Sequence, residues 1–248
     1  MGQFRLKKIR VYRIFSKSKE YEINLQIEQK TQMKKILLIV LLSVRGFSQE
    51  KAPQTTPIKP TPVEFIFGHK RIQGQSIIIK NFSKSKFGIF SLTTLAGDYK
   101  NVDKTNNELF SNFQLNYDIY KGIKLTSGAT FSSAKGFAPI AGLEYVFVNK
   151  KFTIVFNPTI EINKSSALAN FGQVEYAPKN DKLNPYFRLQ GLYIQSLADQ
   201  HHVRSSIVSR AGISKKSFST GLGFNQDFYG QTKISKSNFG VFFQYKFI

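Results

Sequence analysis

Along much of the chain apolar and polar residues alternate one by one. From residue 109 to 119 the odd positions read Leu, Ser, Phe, Leu, Tyr and Ile, while Asn112, Gln114, Asn116 and Asp118 stand between them. A helix would scatter these polar residues around its cylinder. A strand, whose successive side chains point to opposite faces, sorts them into one apolar and one polar side. Phe152, Ile154, Phe156, Ile160 and Ile162 repeat the pattern against Thr153, Asn157, Thr159 and Glu161. Pro158 interrupts the apolar side of that stretch and, by removing a ladder donor, predicts a bulge or a weakened pairing. At the end of the sequence Phe239, Val241, Phe243, Tyr245 and Phe247 share one face, opposite Asn238, Gly240, Gln244 and Lys246.

Nine such stretches are clear, at 108–120, 122–132, 137–148, 152–162, 168–176, 185–195, 203–213, 217–225 and 238–248. Their length of about ten residues is that of a tilted strand crossing a bilayer. The connections alternate as well. Those at 120–122, 149–151 and 214–216 are tight, whereas 97–107, 163–167, 196–202 and 229–237 are longer and polar. Short turns at one end and loops at the other are the habit of membrane barrels. Residues 178–185 make a longer turn on the tight side, and 133–136 a short one on the loop side. The pattern predicts an all-β protein, an antiparallel transmembrane β-barrel of ten strands, or of twelve if 64–70 and 75–82 also belong. Twelve is favoured by the β-branched run Ile77, Ile78 and Ile79. Three apolar residues in a row do not alternate, and an internal plug or a clasp is the other reading of that segment.

Upstream, Met33, Lys34 and Lys35 precede nine mainly apolar residues, 36–44, and then Gly46, Phe47 and Ser48. This resembles a secretory signal peptide cut after Ser48, and nine residues fall far short of the roughly 20 that a spanning helix needs. Export from a start at Met33 is therefore expected. Residues 1–32 then form an upstream extension foreign to the native protein, the alternative being a basic cytoplasmic extension. Pro53, Pro57, Pro60 and Pro62 mark 49–62 as an extended tether, so the barrel is expected over 63–248.

Composition narrows the picture. With 24 Phe, 11 Tyr and no Trp, any interfacial girdle must be built from Phe and Tyr. The absence of Cys excludes disulfides, thiolate metal sites, a cysteine nucleophile and a lipidated cysteine. The net charge of +21 suggests nucleic acid, but residues 1–49 hold 11 Lys/Arg against 3 Asp/Glu, leaving 25 against 12, or +13, for the rest. The remaining lysines gather in turns, at Lys84/Lys86, Lys150/Lys151 and Lys215/Lys216, which fits headgroups or water and no nucleic-acid groove.

Taken together, the leader at Met33, the linker, the amphipathic hairpins and the aromatic last strand resemble the bacterial outer-membrane β-barrel proteins, without matching a specific family motif. The resemblance implies the outer membrane of a Gram-negative cell, lipid around the barrel, and a last strand (Phe239, Val241, Phe243, Tyr245, Phe247) read by the barrel-assembly machinery. The chain departs from that family in ending on Ile248, with its aromatic penultimate.

With the aromatic face outward, Lys124, Glu144, Glu161, Glu175, Arg188, Arg204 and Arg210 are the expected lumen-lining charges. Mixed charge inside a narrow barrel either fills it with paired side chains or leaves a slim water path. Asp199, His201, His202, Ser205 and Ser206 carry the residue types of acyl transfer but no known nucleophile spacing, and no catalytic site is expected. Gly221, Gly223 and Gly230 lack the following helix of a dinucleotide loop. His69, His201 and His202 lack carboxylates at ligand spacing, so neither metal nor cofactor is expected. The function expected is a passive small channel or structural barrel. The alternatives are an outer-membrane enzyme acting on lipid or peptide through its loops, and an exported soluble β-sandwich.

Overall fold

A computed structural model describes residues 60–100, 107–163, 166–178 and 182–247; the leader, the start at Met33 and nearly all of the tether lie outside these residues. Twelve strands follow one another: β1 (Thr61–Gly68), β2 (Arg71–Asn81), β3 (Phe87–Asp98), β4 (Glu108–Tyr120), β5 (Ile123–Ser132), β6 (Gly136–Val148), β7 (Phe152–Glu161), β8 (Ala167–Tyr176), β9 (Asn184–Ser196), β10 (His202–Lys215), β11 (Phe218–Tyr229) and β12 (Ile234–Phe247). Each pairs antiparallel with the next, and β12 returns to pair with β1, Phe243 opposite Phe65, so that the sheet closes into a barrel. Closure leaves no edge strand, so the ladder donors and acceptors of each strand face a neighbour within the wall.

The alternation seen in the sequence is the alternation between the two sides of this wall. Among the described residues forty large hydrophobic side chains are exposed, including Phe113, Leu115, Leu125, Leu189, Leu222 and Phe243. Their inward neighbours, such as Asn112, Gln114, Asn116, Lys124, Glu144 and Gln244, are buried. This inside-out arrangement overturns the β-sandwich alternative, whose apolar faces would meet in a dry layer. Aromatic side chains pair near the end of the barrel that holds the termini: Phe87 with Tyr117 at 5.0 Å, Phe152 with Tyr176 at 5.1 Å and Tyr245 with Phe247 at 4.8 Å between ring centroids. They form a girdle of Phe and Tyr.

Several local expectations change. β2 is a full barrel strand and not a plug: Ile77 and Ile79 are buried inside while Ile78, between them, faces outward. Pro158 causes no bulge, since Gly142 opposite Thr159 and Tyr145 opposite Phe156 keep one register. The ladder merely lapses there, and Asn157 Nδ2 donates to the Leu143 carbonyl at 2.8 Å in its stead. Bulges fall instead between Asp118 and Tyr120 and between His202 and Arg204.

The loop predicted at 229–237 shrinks to 230–233, because Asp227 pairs with Lys236 and Tyr229 with Ile234. Backbone pairing needs no apolar side chain, so the ladder runs on past the point where hydrophobic alternation stops. β1 opens at Thr61, with Pro62 of the expected tether opposite Lys246. The two-residue turn to β2 is held by Asn238, whose Oδ1 accepts from the Lys70 and Arg71 backbone amides and whose Nδ2 donates to the Arg71 carbonyl. Only a glycine at 68 admits it, since a Cβ there would lie 2.1 Å from that side chain.

Candidate functional site in the barrel lumen

The inward residues gather in three groups. Near the termini end, Glu64 on β1 receives Arg188 of β9 at 2.7 Å and Arg210 of β10 at 2.8 Å. Gln244 accepts from Arg188 at 2.9 Å and from the Tyr186 hydroxyl at 3.2 Å, and Glu175 holds Lys246 at 2.7 Å. Ile66, Tyr186 and Phe242 pack as an apolar knot beside these charges. Lys124, Glu144, Asn116 and Asn81 form a smaller network on the facing wall, with Lys124 3.2 Å from Glu144.

At mid-height opposite walls touch. Gln75 of β2 donates to Gln190 of β9 at 3.0 Å, and Gln114 of β4 and Asn157 of β7 exchange bonds at 2.8 and 3.1 Å. An apolar cluster joins Ile77 and Ile79 of β2, Phe90 and Leu92 of β3, Val146 of β6, Val155 of β7 and Phe171 of β8. The Phe90 and Phe171 rings, from strands on opposite sides of the barrel, lie 6.2 Å apart.

Toward the loop end a third group closes the mouth. Arg204 reaches Asp227 at 2.9 Å and Glu108 at 3.1 Å; Arg71 reaches the same two carboxylates at 2.7 and 3.3 Å. The Tyr229 hydroxyl donates to Glu108 at 2.7 Å. From this group a cavity of about 80 Å³ runs past Gln75 and Gln190 to Glu64 and Arg210, lined also by Glu108, Phe110 and Leu192. It has room for a few water molecules.

Of the charges read from the sequence, Lys124, Glu144, Glu175, Arg188 and Arg210 are buried on the inner face, and Arg204 is partly exposed at the mouth. Glu161 is the last residue of β7, half-buried, and among the described residues it joins none of the three groups. The sequence reading missed their partners Glu64, Arg71, Glu108 and Asp227. Parity was signal enough for three: Glu64 alternates with Phe65 and Phe67, Glu108 shares the parity of Asn112, and Asp227 that of Asn225. Arg71 was obscured, because the buried Ile77 and Ile79 share its face.

Outside the lumen, Asp199 lies 3.6 Å from His201 and does not meet His202. His69 Nδ1 accepts the Phe239 backbone amide at 3.0 Å. Among the described residues no group of three or more His, Cys, Asp or Glu is placed to hold a metal.

No protein-family model and no curated protein matches the chain. Among solved structures, the NanC porin in a rhombohedral crystal form is similar with a TM-score of 0.44 and 10% identity, over 77% of this chain and 100% of its own. The KdgM porin gives 0.41 and 12%, over 76% and 99%, and the KdgM porin in complex with disordered oligogalacturonate 0.41 and 11%, over 76% and 99%. Likenesses this distant say nothing of what the chain does.

Proposed function

We propose that this chain is an integral outer-membrane barrel of porin-like build, exported through the leader at Met33, whose role is passive conduction through a very narrow bore. The observation that carries the reading is the set of side-chain bridges across the lumen, Gln75 to Gln190 at mid-height and Glu64 to Arg188 and Arg210 below it. An apolar outer wall with a charged interior suits a barrel set in lipid. Bridges of this kind bar a large solute, while the cavity of about 80 Å³ beside them has room for water. Thr126 Oγ1, Gln173 Oε1, Arg188 Nε and Gln244 Nε2 are buried with no protein partner, and polar atoms cut off from both protein and water are rare. Water therefore belongs inside.

Planar-bilayer recording tests the reading. The wild type is expected to give small, reproducible current steps that grow when Gln190→Ala removes the mid-height bridge or Arg204→Ala opens the mouth. Large steps indifferent to both substitutions would overturn it. The apolar cluster around Phe90 favours a second reading, a sealed structural barrel, and silence in all three proteins would select that one.

A further inference from the structure

We propose that Ser205 and His202, on the outer wall of the barrel, form a catalytic pair that cleaves carboxylic esters of acyl lipids lying against that wall. In a regular strand residues three apart point to opposite faces. Here the bulge between His202 and Arg204 inserts one residue, so that His202 falls opposite the outward Gln195 and Ser205 opposite the outward Tyr193. Both side chains then share the lipid side, and His202 Nε2 lies 3.0 Å from Ser205 Oγ.

The other ring nitrogen settles the proton. His202 Nδ1 lies 2.7 Å from the carbonyl oxygen of Gly230, which can only accept, so in the neutral ring Nδ1 carries the hydrogen and Nε2 presents its lone pair to the serine hydroxyl. A base hydrogen-bonded to its nucleophile and oriented on its far side by an acceptor is the arrangement that activates a serine. The carbonyl takes the place of the acid that Asp199, which accepts from the Ser196 hydroxyl at 3.5 Å, does not supply. This acceptor is itself held: the Gly230 amide donates to the carbonyl of Val203, the bulged residue, at 2.8 Å, and Gly230 has φ +66, a left-handed conformation that glycine adopts freely. Turn and bulge therefore fix the imidazole together.

The surroundings define the substrate. Tyr193, 43% exposed, stacks at 5.7 Å from the His202 ring, and Ile207, the next outward residue of β10, is 47% exposed. A molecule reaching Ser205 therefore lies against the apolar wall near the loop end, where an acyl chain meets its polar head. Ser205 Oγ attacks the ester carbonyl carbon while its proton passes to His202 Nε2. The carbon–oxygen bond to the headgroup breaks, and the departing alkoxide takes that proton. Water, deprotonated by the same nitrogen, then hydrolyses the acyl-serine ester, releasing the fatty acid and restoring the hydroxyl.

The site faces away from the lumen, so bilayer currents do not bear on it. The full barrel, folded in detergent micelles and checked by heat-shifted gel mobility, is exposed to a fluorophosphonate and, separately, to mixed micelles of phosphatidylethanolamine or of lipopolysaccharide. Label mapping to Ser205, with fatty-acid release from one of the two micelles, is the expected result; the active micelle tells which lipid supplies the ester. Ser205→Ala should abolish both, His202→Ala should lower both by roughly 100-fold or more, and Ser209→Ala, on the same face of the same strand, should leave both unchanged. Neither label nor release from the folded wild type, or label and release that persist in folded Ser205→Ala, would reduce the contact to a structural hydrogen bond and overturn the proposal.

Discussion

Glu64 ties three strands of the interior together, holding Arg188 of β9 and Arg210 of β10 from its place on β1. Its two oxygens take four guanidinium contacts from Arg188 and Arg210, all between 2.7 and 2.9 Å, with both arginine side chains buried. Removing the carboxylate strands two buried cations, a loss of about 3–5 kcal/mol when one partner of a buried pair is deleted. Glu64→Ala should thus lower the urea midpoint of the folded barrel, read by far-UV circular dichroism, far more than Lys124→Met, which removes one cation from a smaller network. Phe242, fully buried beside Tyr186, tests the apolar share. Phe242→Ala should cost about 3–5 kcal/mol in the same assay, the usual toll of an emptied aromatic site.

Among the strands, β7 and β12 show what pairing requires. In β7 the missing proline donor is covered by Asn157, which also bonds Gln114 across the lumen. Asn157→Ala should therefore destabilise by about 1–3 kcal/mol, the cost of leaving buried polar groups unpaired, whereas Pro158→Val should be neutral or mildly stabilising. β12 presents Val241 to lipid at mid-strand, opposite Phe67 and Leu222. A charge there must be dehydrated, so Val241→Arg should cost about 2–4 kcal/mol in lipid vesicles. The same change at Lys246, which already points inward to Glu175, should cost much less. An equal effect at both positions would contradict a lipid-facing odd row.

For the whole molecule, closure is the decisive property. A closed ring of paired strands should resist detergent, migrating fast on a cold gel and slowly after boiling. The apolar outer wall, forty exposed large hydrophobic side chains among the described residues, should make the protein aggregate in buffer and stay monodisperse in detergent. The proposed conductance belongs to this scale too, since the lumen is bridged jointly by β1, β2, β9 and β10 through Glu64, Gln75, Arg188, Gln190 and Arg210.

Much of the wall was legible in the chain. A period of two in β4, β7 and β12 assigns each residue a side, and strand lengths near ten with alternating short and long connections suffice for a barrel of ten or twelve strands. Parity by itself placed Lys124, Glu144 and Arg188 on the inner face. Where both faces carried apolar residues, as at Ile77 to Ile79, that signal vanished, because a lumen packed with hydrocarbon looks to the sequence like lipid. Partnerships were out of reach for a further reason: Glu64 meets Arg210 across 146 positions, and Gln75 meets Gln190 across 115, distances that only the curvature and register of the closed sheet bring to contact. A single bulge likewise decided that His202 and Ser205 share a face, since one inserted residue reverses the side of everything before it. Alternation along the chain determined which way most side chains point; the tertiary structure alone decided what they meet there and, at Ile77 to Ile79 and at His202, which side they take.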